Sequence, residues 1–318
     1  MHSANPHISC VVPAYNEGEG IRDFLLALWA TLQPLASRCE IIVVNDGSRD
    51  NTASVVADLC QSGMPLRLIN LSRNFGKEAA LTAGLDHVSG DLVILIDADF
   101  QHPLALIPAF LARWREGYDM VYGVRQSRAD ESRLKRTGAF AFYGLMNWLS
   151  SVNIPADAGD FRLLDRKVID SLQSMPERAR FMKGMYAWVG YRSIAVPFDV
   201  QTRNSGQSAF NIRALLQLAQ TGILSFSDIP LRVWSVVGFF ISALSLAYAA
   251  WIIIDTLRFG VEIPGWATLA AALMFLGGVQ LISIGVLGEY LAGVFHEVKR
   301  RPIYLVSERI GFEETDET

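Results

Sequence analysis

A chain of 318 residues that is 51% apolar can bury a sizeable core, and its length suits one catalytic domain plus something smaller. A formal net charge of −4 excludes a globally basic, nucleic-acid-binding surface, so any anion binding has to come from local clusters. The three cysteines, Cys10, Cys39 and Cys60, are widely spaced with no CxxC, which suits reduced packing thiols in a cytoplasmic domain better than disulfides or zinc. The start of the chain, MHSANPHISCVVPAYNEG, has no basic segment followed by a long apolar run, so no cleaved secretory signal is expected there.

In chain order, residues 8–12 form a short run rich in Val and Ile that ends in the polar stretch 13–17, the pattern of a buried parallel strand. Residues 20–32 have helical spacing. Residues 40–44 repeat the strand pattern and end in 45–50; residues 51–60 are again helical. A strand over 66–71 leads into 72–77, and the run 92–96 ends in 97–101. This alternation predicts a doubly wound, mostly parallel α/β sheet flanked by helices, in which ligands sit at the carboxyl ends of the strands. The polar clusters fall at those ends, so they converge on one site.

The segment 233–288 is nearly free of charge. Two runs within it, 233–254 and 266–288, are each about 22 residues, or about 33 Å as helix, long enough to span a bilayer. The short link 255–265 contains Pro264 and Gly265, predicting a hairpin. Arg232 before it and Lys299, Arg300 and Arg301 after it place both flanks inside by the positive-inside rule. Gly238 with Ser242, and Gly288 with Ala292, stand at a spacing that permits close helix packing. Segments 138–151 and 209–226 read either as helices lying at a membrane surface or as ordinary amphipathic core helices. The expected organisation is a catalytic domain over 1–206, an amphipathic juxtamembrane segment over 207–231, two membrane helices over 232–291 and a cytoplasmic tail over 292–318.

Asp97-Ala98-Asp99 closes an apolar strand. Residues two apart in an extended chain point to the same side, so both carboxylates can face one hard divalent cation, Mg2+ or Mn2+, with Gln101 adding an oxygen ligand. Such an ion neutralises a departing nucleotide diphosphate. Asp46 heads Asp-Gly-Ser, a turn composition in its own right, yet as a strand-end carboxylate it can also accept from a nucleobase. Glu17 can do likewise for ribose or base, with helix N-capping as the competing reading.

VVPAYNEGEGI, VVNDGSRDNT, LSRNFGKEAAL, GDLVILIDADFQHP and DAGDFRLLDRKV, in this order, resemble glycosyltransferase family 2 with the Rossmann-like GT-A fold. With the later QTRNSGQSAF and the two-helix tail they are similar to the polyprenyl-phosphate glycosyltransferases, a group that includes bactoprenol glucosyltransferases and dolichol-phosphate mannose synthases. The resemblance implies that Pro13, Ala14, Tyr15, Glu17, Asp46, Gly76, Lys77, Asp97 and Ala98 line the nucleotide pocket, and that Asp97, Asp99 and Gln101 hold the metal. It also implies that Arg125, Arg133, Arg136, Arg162 and Arg203 handle donor and acceptor phosphates, a task suited to the planar guanidinium fork; for Arg133 and its basic neighbours, a solvated face is the alternative. Asp99, Asp157 and Asp160 are the catalytic candidates, Asp157 and Asp160 either as a base or as organisers of the acceptor site. The implied activity is inverting transfer of a sugar, glucose from UDP-glucose as the first choice, to a polyprenyl (undecaprenyl) phosphate at the cytoplasmic face of the inner membrane. The implied assembly is a homo-oligomer, possibly a tetramer. Mannose, an N-acetylhexosamine or an aminoarabinose derivative is the alternative sugar, and a non-catalytic sugar-nucleotide-binding scaffold the alternative class. A processive polysaccharide synthase does not fit, because the Gln-x-x-Arg-Trp signature is missing and two spans are too few for a polymer channel.

Overall fold

Continuous apolar runs build the centre of the molecule. The computed structural model describes residues 6–125, 158–178, 180–198, 229–259 and 265–312. Strand β1 (His7–Ala14) sends Ile8, Cys10 and Val12 to one face, against α1 (Ile21–Leu32), α2 (Thr52–Gln61) and α4 (Ile107–Arg115). Its Val11 points to the other face, against α3 (Lys77–Asp86), α5 (Arg166–Ser174) and α6 (Met182–Trp188). Both faces are covered, so the strand reads as unbroken hydrophobic sequence instead of alternating. The same holds for β2 (Arg38–Asn45), β3 (Leu66–Leu71) and β4 (Leu92–Leu95). These four and the two helices α1 and α2 lie where the sequence pattern puts them.

The remaining strands are β5 (Met120–Arg125), β6 (Ala158–Asp165), β7 (Ser193–Phe198) and β8 (Val306–Ile310), and the sheet order is β7-β5-β6-β4-β1-β2-β3-β8. β1 pairs parallel with both β2 and β4. The chain therefore winds from β1 through β2 to β3, then crosses back to β4 on the other side of β1, creating the switch point at which open α/β sheets bind ligands. Next to β4 the direction reverses: β6 is antiparallel, with Leu95 opposite Arg162. Continuing that register brings Asp160 opposite Asp97.

Helix α3 lies close on the sheet because it is built from small residues, Ala79, Ala80 and Ala83 among them, all buried. A Cβ at Gly84 would sit 2.2 Å from Val11 Cγ1, so only glycine allows this approach. The first residue of α3, Lys77, is thereby held over the strand ends.

Helices α7 (Ile229–Phe259) and α8 (Trp266–Val298) contain the two expected spans. Among the described residues one stretch, Ala272–Val298 with mean hydropathy 1.6, is long and apolar enough to cross a membrane, and none of it is buried within the chain. Among the described residues, a Cβ on Gly238 or Gly288 would meet nothing within 4 Å. After α8 the chain returns to the sheet as β8, antiparallel to β3, where the sequence pattern indicated only a tail. Asn70 Nδ2 donates to Glu308 Oε2 at 2.9 Å and the Tyr304 hydroxyl to Asp86 Oδ2 at 2.8 Å. The Arg178 backbone N–H donates to Glu297 near the end of α8 at 2.9 Å, and Arg178 Nη1 donates to the Arg301 carbonyl. The hairpin is thus tied to the catalytic domain at its outgoing end. The three cysteines are free thiols; burial pushes the pKa of each up, Cys60 to about 11, in keeping with inert packing residues.

Candidate active site

A cleft of about 320 Å³ opens at the switch point, lined by Pro13, Ala14, Tyr15, Glu17, Asp46, Asn74, Gly76, Lys77, Ala80, Asp97, Ala98 and Asp99. All nine residues expected around the nucleotide are there, with Asp99; Asn74 and Ala80 are additions. The loops carrying them brace one another. Asn16, in the left-handed region at φ 55°, donates its N–H to the Ser48 hydroxyl and accepts the Arg49 N–H on Oδ1, both at 2.9 Å. The Glu17 N–H donates to Thr52 Oγ1 at 2.9 Å. Gly20 holds the cap position of α1, and the Glu17 backbone carbonyl accepts the N–H groups of Gly20 and Ile21 at the first turn. Glu17 lines the cleft.

Asp46 has a structural task that the turn composition did not reveal. Its two oxygens accept the backbone N–H groups of Phe75 and Gly76, at 2.7 and 2.9 Å, and so pin the loop that enters α3. Burial pushes its carboxyl up, opposed by those two donors. The adjoining Gly47 (φ 66°) passes against the backbone of Arg73 and Asn74, where a Cβ would come within 2.4 Å of the Arg73 carbonyl carbon.

At the end of β4, Asp97 and Asp99 both face the cleft. Asp99 Oδ1 accepts the Gln101 N–H at 3.0 Å. Phe100 between them adopts φ 58°, an unusual conformation for an aromatic residue, and packs its ring edge-on against Phe24 at 5.2 Å. Asp97 and Asp99 both line the cleft, and two hard oxygen donors in one cleft are a donor set that fits a divalent cation. Gln101 is not among the cleft-lining residues; what it demonstrably supplies is the backbone N–H that orients Asp99.

Lys77 connects the two halves of the site. Its ammonium lies 2.7 and 2.8 Å from the two oxygens of Asp97 and 2.6 Å from Asp160 Oδ2. Burial works against the Lys77 charge, but the two carboxylates outweigh it and raise its pKa. Burial alone would likewise raise the Asp160 carboxyl; Lys77 above all, then Lys183 and Arg162, hold it at about 2. Asp160 therefore stays ionised at neutral pH and is a weak base there.

Arg162, expected to handle phosphate, does something else. It is 3% exposed, donates Nε to the Gly159 carbonyl at 3.1 Å, and stacks its guanidinium 4.2 Å from the Tyr186 ring and 5.2 Å from the Tyr122 ring. Buried in this way it is not among the described residues that line the cleft, and its charge helps to hold the Asp160 carboxyl low. Arg125 ends β5 opposite Phe198. Arg133, Arg136, Arg203 and Asp157 lie outside the described residues.

The residue after Lys77 was not anticipated. Glu78 Oε2 accepts the Met182 N–H at 3.1 Å and so holds the start of α6, which carries Lys183. Burial, then the neighbouring Asp160, pushes its carboxyl up to about 7. Against an ordinary value of about 4.3 in the unfolded chain, the folded state holds this proton more tightly. The stability this gives is full below pH ~4.3 and is lost as pH rises to 7. Glu78→Gln keeps an acceptor oxygen and removes the charge, so its melting temperature should match wild type near pH 4 and exceed it by at least about 2 °C at pH 8. A melting series in detergent checks this; equal curves at pH 8 would contradict it.

Comparison with known proteins identifies the family. Residues 9–173 match the model of glycosyl transferase family 2, and residues 229–294 match that of the GtrB C-terminal hairpin. An uncharacterized glycosyltransferase of Synechocystis is 50% identical over 306 residues, covering 96% of each chain. The SfII prophage-derived bactoprenol glucosyl transferase of Shigella flexneri is 46% identical over 299 residues, covering 94% of this chain and 97% of its own. Among solved structures, a mannosyltransferase of Pyrobaculum calidifontis in complex with GDP-Man and Mn2+ superimposes with a TM-score of 0.48 at 18% identity, covering 93% of this chain and 88% of its own. With a family-2 catalytic domain of GT-A fold followed by the membrane-associated C-terminal hairpin, the chain belongs to glycosyltransferase family 2.

Proposed function

We propose that the protein transfers glucose from UDP-glucose to a polyprenyl phosphate, with inversion, at the cytoplasmic face of the membrane that its hairpin enters. The observation that carries this reading is the cleft itself: a nucleotide-sized pocket with Asp97 and Asp99 at its floor, in a chain whose membrane helix is tied to the same domain through Glu297 and β8. The Shigella relative named for bactoprenol glucosyl transfer supports the choice of substrates.

Tyr15, Glu17 and Asp46 would receive the nucleoside, Tyr15 offering a half-exposed ring and Glu17 a carboxylate. Asp97 and Asp99 would hold Mg2+ or Mn2+, which supplies positive charge to the departing diphosphate. Lys77 adds a second cation beside it. The acceptor is a phosphate monoester with a second pKa of about 6, so it arrives ionised and needs no strong base. An Asp160 held at about 2 suits that chemistry, because its task is to fix Lys77 and Lys183. Arg125, Arg133, Arg136 and Arg203 are proposed for the phosphates, and Asp157 for acceptor organisation, on the family motifs they occupy. The exposed apolar sides of α7 and α8 face lipid or a second copy of the chain, in line with a homo-oligomer.

Donor choice is tested by calorimetric titration of the purified protein with UDP-glucose, GDP-mannose and a UDP-N-acetylhexosamine in the presence of Mn2+. UDP-glucose is expected to bind at least about tenfold tighter than the others, a difference of about 1.4 kcal/mol; a preference for GDP-mannose would overturn the choice of sugar.

A further inference from the structure

We propose that Lys77 makes divalent-metal and nucleotide binding cooperative by occupying the Asp97 carboxylate until a diphosphate draws its ammonium away. This rests on the donor cleft assigned above and adds a coupling role that the cleft alone does not require. Lys77 Nζ is within 2.8 Å of both Asp97 oxygens, so the carboxylate offers its lone pairs to an ammonium that a divalent ion would have to displace. The same ammonium is 2.6 Å from Asp160, so it has an alternative carboxylate on which to rest when it leaves Asp97. It also lines the cleft with Asp97 and Asp99, where the diphosphate of a nucleotide sugar would lie. A bound diphosphate is a stronger attractor for the ammonium than a carboxylate already shared with a metal. Metal and nucleotide should therefore each assist the other, by the same factor in both directions.

The consequence runs against the usual effect of deleting a site residue: removing Lys77 should strengthen metal binding in the absence of nucleotide. A charge-assisted hydrogen bond contributes more than a neutral one, but the Lys77 side chain is 42% exposed and the pair is correspondingly screened. The gain is therefore about 3- to 10-fold. Nucleotide binding should weaken in the same variant.

The test is Mn2+ binding followed by electron paramagnetic resonance, with and without UDP, on the full chain in detergent, for wild type, Lys77→Met, Lys77→Gln, Lys77→Arg and Lys183→Met. Melting curves confirm that each variant is folded. Lys77→Met and Lys77→Gln are expected to bind Mn2+ alone about 3- to 10-fold tighter than wild type, and the tightening of Mn2+ by UDP is expected to shrink by a similar factor. Lys77→Arg, which can still pair with Asp97, should stay near wild type. Lys183→Met removes a nearby positive charge that influences Asp160 without touching Asp97, so it should change Mn2+ affinity less than about 2-fold. Unchanged or weaker Mn2+ binding in both Lys77→Met and Lys77→Gln would overturn the coupling role and leave the donor cleft standing, as would an equal gain in Lys183→Met, which reports general electrostatics. Failure of wild type to bind Mn2+ even with UDP would overturn the metal site and the proposal together.

Discussion

Asp99→Asn is expected to lower kcat by about 10²- to 10³-fold, the range seen when a single group stabilising transition-state charge is lost, while leaving the fold intact. Asp99 lines the cleft with Asp97, and the residue after it, Phe100, adopts φ 58°. The amide preserves shape, and its oxygen can still accept the Gln101 N–H, so the loop has no reason to collapse. What disappears is one negative oxygen donor for a hard cation, for which a neutral amide is a poor replacement. The measurement is turnover at saturating Mn2+ together with a melting curve. Near-normal turnover with a normal melting temperature would show that the Asp97-Ala98-Asp99 segment is not the metal site.

Asp160→Asn is the second large effect, and it is one of stability as well as rate. The wild-type carboxylate lies 2.6 Å from the Lys77 ammonium and in the field of Lys183 and Arg162. Removing it leaves Lys77 to Asp97 alone and takes away the one negative charge shared by Lys77, Lys183 and Arg162. Breaking a fully buried pair costs about 3–5 kcal/mol, and the partial exposure of Lys77 reduces this to about 1–3 kcal/mol. The sign with pH follows from the depressed carboxyl. Its stabilisation is fully present above the ordinary aspartate value of about 3.9 and disappears as pH falls to about 2. The stability gap between wild type and Asp160→Asn should therefore close below pH ~4 and narrow somewhat between pH 5 and pH 8, where Glu78, whose carboxyl Asp160 helps to raise, ionises. For the same reason Asp160 should leave no inflection in the wild-type rate profile near neutrality. A gap that opens only above pH 6 would mean that Asp160 is protonated at lower pH and belongs among the proton-transfer groups.

The parts of this site that can be read from sequence are those made by neighbours in the chain. β1 to β4 are buried on both faces, so each shows as a run of Val, Ile and Leu followed by polar residues, and the cleft residues from Pro13 to Asp99 are those polar residues. β6 is different. Its sequence AGDFRLLD carries Asp160 and Arg162 inside the strand, because one continues the site opposite Asp97 and the other stacks between Tyr122 and Tyr186. An arginine beside family motifs looks like a phosphate ligand until those two aromatic rings are seen around it. β8, with VSERI, is short and charged because it is an edge strand held only by β3, and such segments have no apolar signature. The meeting of Glu78 with Met182 depends on α6 packing beside α3, a contact between residues remote in sequence that no local pattern encodes. Lys77 was legible as a pocket residue, but its bridge between Asp97 and Asp160 follows only from the antiparallel pairing of β6 with β4.

Glycosyl transfer onto a lipid phosphate in this cleft is read from the identity of the product. Purified protein in detergent, given UDP-glucose, undecaprenyl phosphate and Mn2+, should yield a lipid carrying one hexose and one phosphate, read by mass spectrometry, with UDP released in equal amount. The product should vanish on chelation and form about 10²- to 10³-fold more slowly in Asp99→Asn. A lipid diphosphate carrying the sugar, or hydrolysis of UDP-glucose with the lipid phosphate untouched, would contradict the account.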